Sequence, residues 1–131
     1  MTEKSNIYTR AVRSVVVVLA LFAAGCAELG YGGGADATFT AVEEGGSKVW
    51  KGGGTVDLKG RTRPLTLKVV NTLGADHGFS IDSMKVSEVI KAGEERTITV
   101  PLENIDPMVS EHRVYCQLHP KHVPATLVTT R

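Results

Sequence analysis

Cysteine is scarce in this chain. Two occur among 131 residues, Cys26 and Cys116, so a multi-bridge disulfide scaffold is excluded. Aromatic residues make up only 5%, which leaves few rings for stacking bases. Acidic and basic side chains nearly cancel at a formal net charge of +1, and no basic stripe stands out. Nucleic-acid binding is therefore not expected. No apolar run approaches the roughly 20 residues of a membrane-spanning helix. No internal repeat is present, and no stretch after Cys26 has the pattern of a long amphipathic helix. Catalytic signatures are missing too, with no oxyanion-forming motif and no paired carboxylates. The glycines near residue 32 lack the Lys-Ser/Thr of a phosphate-binding loop.

What is present begins with a targeting pattern. Lys4, Arg10 and Arg13 lie in a polar leader, followed by the apolar run from Val15 to Ala24. That length suits a signal-peptide core; a retained anchor is the alternative. Ala23-Ala24-Gly25-Cys26 resembles a bacterial lipobox, with alanine at position 23 where leucine is more usual. The resemblance implies cleavage before Cys26 and lipidation of that residue. Acyl chains would then hold the protein at a membrane of the cell envelope, facing the periplasm or the cell exterior. Cleavage would remove Glu3, Lys4, Arg10 and Arg13, taking the net charge from +1 to −1. The expected organisation is a signal peptide over 1–25, a lipidated glycine-rich tether over 26–36 and one domain over 37–131.

The rest of the chain reads as β-structure. Expected strands cover Ala37 to Val42, Lys48 to Trp50 and Thr55 to Leu58, the last two interrupted by Gly52-Gly53-Gly54 at a bulge or an edge. Leu65 to Asn71 alternates, with Leu65, Leu67 and Val69 on one face. Further strands are expected over His77 to Ile81, Met84 to Ile90, Glu95 to Val100, Arg113 to Cys116 and Ala125 to Thr129. Short strands with turn signals every ten residues or so point to a sandwich or a barrel.

The chemistry concentrates late. Tyr115-Cys116-Gln117-Leu118-His119-Pro120-Lys121-His122 places one thiol and two imidazoles within seven residues. A third imidazole, His77, lies in Asp76-His77-Gly78-Phe79. Strand parity puts His77 with Phe79 and Ile81, and Cys116 with Val114, so both should face inward. If Cys26 is acylated, Cys116 has no disulfide partner, and metal ligation accounts for an unpaired cysteine in an exported protein. A thiolate with imidazoles is a donor set for copper or zinc rather than for magnesium or calcium. His112 is expected to face solvent. Met84, Met108, Trp50 and Tyr115 are expected to pack, with either methionine a fallback donor. A Cys/His nucleophile pair is the catalytic alternative.

From about Leu65 onward the chain resembles the cupredoxins, the small Greek-key β-sandwiches of blue copper proteins. The residues that carry the likeness are Asn71, Asp76-His77-Gly78-Phe79, Ala92-Gly93-Glu94 and Tyr115-Cys116-Gln117-Leu118-His119-Pro120. The resemblance implies an all-β Greek-key sandwich with His77, Cys116 and His119 as the equatorial ligands of a single copper ion. It implies a one-electron carrier rather than an enzyme, working with a redox partner protein. A protein that captures, stores or delivers copper to an acceptor is the alternative. The departure is His122, which stands where methionine is the common weak axial ligand. A nitrogen donor there favours copper(II) and a lower potential, and it is similar to the non-methionine fourth ligand of red copper proteins of the nitrosocyanin type. Such a site has an open coordination position. Zinc would also accept this set.

Overall fold

The computed structural model describes residues 34–131, so the signal segment and Cys26 lie outside the described residues. Eight strands follow in order: β1 (Ala37–Glu44), β2 (Ser47–Asp57), β3 (Leu65–Asn71), β4 (His77–Ile81), β5 (Val86–Ile90), β6 (Glu95–Val100), β7 (Glu111–Val114) and β8 (Ala125–Thr130). Single 3-10 turns occupy Asp82–Met84 and Leu102–Asn104. No described helix is long and apolar enough to cross a membrane.

Alternation explains which strand faces are buried. Ala37, Phe39 and Ala41 of β1 are buried, as are Leu65, Leu67 and Val69 of β3. Period-2 burial of this kind is what a pleated strand imposes when one face meets a core. β1 pairs with β3 in parallel and with β2 antiparallel, and β6 pairs antiparallel with β3. β4 differs, because all five of its residues are buried. It pairs antiparallel with β5, and a bridge between Ser80 and Tyr115 joins it to the chain leaving β7.

β2 belongs to both layers. Through Gly52 it pairs with β1, and from Gly53 it pairs in parallel with β8. The switch falls on Gly52-Gly53-Gly54, whose φ angles are +120°, +110° and +102°. Only glycine adopts that backbone without strain. A Cβ on Gly52 would also collide with the Thr38 carbonyl, and one on Gly53 with the Thr126 carbonyl. The two expected strands separated by glycines are thus one strand that changes sheets. One layer is β6-β3-β1 with the first half of β2; the other is the second half of β2 with β8 and β7, extended through the Ser80–Tyr115 bridge to β4 and β5. The fold is an all-β sandwich, as expected from the sequence.

Rings from both layers meet in the core. Phe39 and Phe79 have centroids 5.3 Å apart, and Trp50 meets Phe79 edge-on at 5.2 Å. Burial of such side chains contributes about 1.5–3 kcal/mol each. Two expectations are corrected. His112 is fully buried, not solvent-facing. Its Nδ1 is 2.6 Å from Ser83 Oγ and its Nε2 is 3.0 Å from Thr129 Oγ1, which satisfies both ring nitrogens. Met108 is 90% exposed and does not pack, whereas Met84 lies in the core. Strand ends also move: β5 begins at Val86 because Asp82–Met84 forms a turn closed by Lys85 at φ 55°. β7 is Glu111–Val114, earlier than expected by two residues.

Candidate metal centre

Three segments carry the donors, and each is tied to the sandwich. His77 opens β4 after the loop from Thr72 to Asp76. The buried Asn71 side chain clamps that loop. Its Nδ2 donates to the carbonyls of Ala75 at 2.8 Å, Ile90 at 3.0 Å and Lys91 at 3.2 Å, and its Oδ1 accepts from Leu73 N–H at 2.9 Å. Cys116 follows the Ser80–Tyr115 bridge, in which two backbone hydrogen bonds of 2.8 and 3.0 Å fix the chain beside β4. The loop beyond is closed by His122 N–H donating to the His119 carbonyl at 3.0 Å. It is anchored to β2 by Val123 N–H to Lys48 O at 2.8 Å and Trp50 N–H to Val123 O at 3.0 Å.

These ties bring His77, Cys116 and His119 into one cluster, with His122 beside His77 and outside the three-residue group. Cys116 Sγ is 3.9 Å from His77 Nδ1 and 3.5 Å from His119 Nδ1. His122 Nδ1 is 3.1 Å from His77 Nδ1. The donor atoms of His77, Cys116 and His119 all lie within 4.8 Å of one another. A tetrahedral centre with metal–nitrogen bonds near 2.0 Å and a metal–sulfur bond near 2.3 Å needs separations of about 3.3 Å between nitrogens and about 3.6 Å between nitrogen and sulfur. The observed spacings fit that need. The contacts found for these Nδ1 atoms are with each other and with sulfur: His77 and His119 with Cys116 Sγ, and His122 with His77. His77, Cys116 and His122 are buried and His119 is exposed.

Electrostatics favour neutral rings. Burial pulls the His77 pKa below its usual 6.5, aided by His119 and Lys48 and opposed by Asp76. His122 is lowered to about 4, first by burial and then by His77, with His119 and Lys48 adding to the effect and the Val49 backbone opposing it. A neutral imidazole offers a lone pair, the form a metal requires. The Nε2 atoms of His77 and His122 are buried and have no hydrogen-bond partner among the described residues.

Several contributors carry no signal in the sequence. Gly78 N–H donates to Cys116 Sγ at 3.1 Å, a contact that stabilises negative charge on sulfur. The Gly78 carbonyl accepts from Trp50 Nε1 at 3.1 Å. Trp50 also stacks on His122 with centroids 5.3 Å apart and planes at 25°. Trp50 therefore orients a donor as well as packing. Gln117 braces the loop, its Oε1 accepting from Ser80 Oγ at 2.7 Å and its Nε2 donating to Glu88 O at 3.0 Å. Tyr115 reaches outward, donating to Asp82 Oδ1 at 2.8 Å. Neither fallback methionine is placed to serve. Met84 lies in the core beyond the opposite end of β4 from His77, and Met108 is in solvent.

The chain matches no protein-family model and no curated protein. Among solved structures, it is similar to a laccase from Pediococcus acidilactici at 14% identity, over 71% of this chain and 25% of that one, with a TM-score of 0.46. It is also similar to a multi-copper oxidase from Pediococcus acidilactici at 15% identity, over 72% of this chain and 25% of that one, with a TM-score of 0.41. The chain thus corresponds to about a quarter of the length of each.

Proposed function

We propose that this protein holds one copper ion with His77, Cys116, His119 and His122 and passes single electrons to and from a partner protein. The observation that carries the reading is the convergence of the His77 and His119 Nδ1 atoms on the Cys116 sulfur, with His122 Nδ1 against His77, inside a paired-strand sandwich. Copper bound there would supply a one-electron couple. The protein's own residues supply the rest. His77 and Cys116 come from segments fixed by strand pairing, so little has to move when charge changes. Gly78 N–H offsets charge on sulfur, and Trp50 holds the plane of His122. His119 is the exposed donor, so electrons would enter and leave through its edge. Lipidation at the lipobox-like Cys26 would put this exchange at an envelope membrane.

A second reading is a red-copper type of centre that accepts an outside ligand. It is favoured by a hollow of about 320 Å³ in front of the three imidazoles. Zinc remains compatible with the donor geometry. The discriminating experiment loads the purified chain with one equivalent of copper(II) and records optical and EPR spectra. Intense thiolate-to-copper charge-transfer bands are expected, and they should vanish in Cys116→Ser. Retention of zinc with no such bands in the copper-treated protein would overturn the electron-transfer reading.

A further inference from the structure

The hollow before the imidazoles has a charge pattern of its own. It is lined by Gly46 of the β1–β2 turn, by Ser47 and Lys48 at the start of β2, by Lys121, and by His77, His119 and His122. No carboxylate lines it. Lys48 Nζ sits 3.3 Å from Glu43 Oε1 in an exposed pair that salt and water screen strongly. Lys121 makes no ion pair among the described residues. Asp76, the acid beside His77, is not among the lining residues; its Oδ1 accepts from Ala92 N–H at 3.0 Å and its Oδ2 is 3.8 Å from Lys91 Nζ. Cys116, the negative donor, is not among the lining residues. The hollow is therefore lined by two lysines and three histidines, without the thiol.

We propose that this hollow is a binding site for a small inorganic monoanion, drawn in by Lys48 and Lys121 and delivered to the face of the metal centre. The ligand class follows from size and charge. A volume of about 320 Å³ is at the lower end of small-molecule sites. It admits a triatomic anion with a few waters and no folded partner. Two lysines among its lining residues attract negative charge, and Ser47 adds a hydroxyl able to donate. The inference rests on the copper reading only for what the anion meets at the histidines; the lysine attraction exists without metal.

The test titrates sodium azide, then sodium nitrite, into the full chain at constant ionic strength, with acetonitrile as the neutral control. In copper(II)-loaded protein the readout is the charge-transfer spectrum. In metal-free protein it is the backbone amide shifts of Ser47, Lys48 and Lys121. Saturable changes are expected in both forms, tighter with copper and absent with acetonitrile. Lys48→Ala/Lys121→Ala should weaken azide binding about tenfold while leaving the azide-free copper spectrum unchanged. Failure of copper to give Cys116-dependent bands would strike the copper reading alone, because the metal-free titration still reports on the lysines. Saturation that the double variant does not alter, no saturable response in either form, or an equal response to acetonitrile would overturn the anion site.

Discussion

The Gly78→Ala substitution tests how the thiol is held. A Cβ built on Gly78 collides with Oε1 and Cδ of Gln117 and lies 2.9 Å from the Gln117 backbone nitrogen. The Gln117 side chain must leave. Its hydrogen bonds to Ser80 Oγ and Glu88 O go with it, at about 1 kcal/mol each. The remaining contact with the backbone nitrogen pushes the Cys116–Gln117 segment away by a few tenths of an ångström, which lengthens the Gly78 N–H to sulfur bond of 3.1 Å. The expected loss is roughly 2–3 kcal/mol, or a drop of about 10–20 °C in the melting temperature of a domain this size. The assay is thermal and urea unfolding of the metal-free chain, followed by the copper charge-transfer band. Gln117→Ala alone should lose about 2 kcal/mol through the same two hydrogen bonds. In that background the glycine substitution should add no more than about 1 kcal/mol, from the backbone contact that remains once the side chain it struck is gone. A Gly78→Ala protein within about 0.5 kcal/mol of the parent, a shift typical of a neutral surface change, would refute the reasoning. So would full additivity of the two substitutions.

The other predictions are shorter. His122→Met should raise the reduction potential and shift the charge-transfer band, since a thioether stabilises copper(II) less than an imidazole does; an unchanged spectrum would exclude His122 as a ligand. The metal-free protein should lose stability as pH falls. His77 and His122 have folded pKa values below the usual 6.5, and that of His122 is about 4, so the unfolded chain takes up protons first. Their contribution is present above about pH 6.5 and is lost as pH falls toward about 4; His122→Gln should flatten this part of a melting-temperature profile. His112→Leu strands Ser83 Oγ and Thr129 Oγ1 and should lower stability by about 1–3 kcal/mol. It should leave the copper spectrum unchanged, because His112 lies four residues up the strand from Cys116, about 13 Å away.

Most of the β-pattern was legible because it depends on local alternation. β3, β4 and β6 run from Leu65, His77 and Glu95 to the ends that alternation marks. The burial of Cys116 was legible for a related reason, its parity with Val114; His77 is buried too, but in a strand whose five residues are all buried, so parity alone does not decide it. What the sequence concealed depends on contacts between distant segments. Three consecutive glycines read as a break, and only the pairing of β2 with both β1 and β8 shows them to be a passage between sheets. His112 looked like a surface residue because its partners, Ser83 and Thr129, are 29 and 17 positions away. Trp50 looked like ordinary core filling because its contacts with Gly78 and His122 span 28 and 72 positions in the sequence.

The same long-range contacts explain why the donors can be in place before metal arrives. A flexible peptide holding these four side chains would have to order its backbone on binding, at about 1–2 kcal/mol per residue. Here the His77 loop is held by three carbonyls on one Asn71 amide, the Cys116 segment by paired hydrogen bonds to Ser80, and the exit from His122 by two more to β2. None of these ties uses a donor nitrogen or the sulfur. Folding energy from the aromatic core therefore fixes the frame, and the imidazoles are left with few partners besides one another. Burial makes that arrangement costly for protons and depresses the pKa values of His77 and His122, which keeps both rings in the neutral form that the proposed copper site needs.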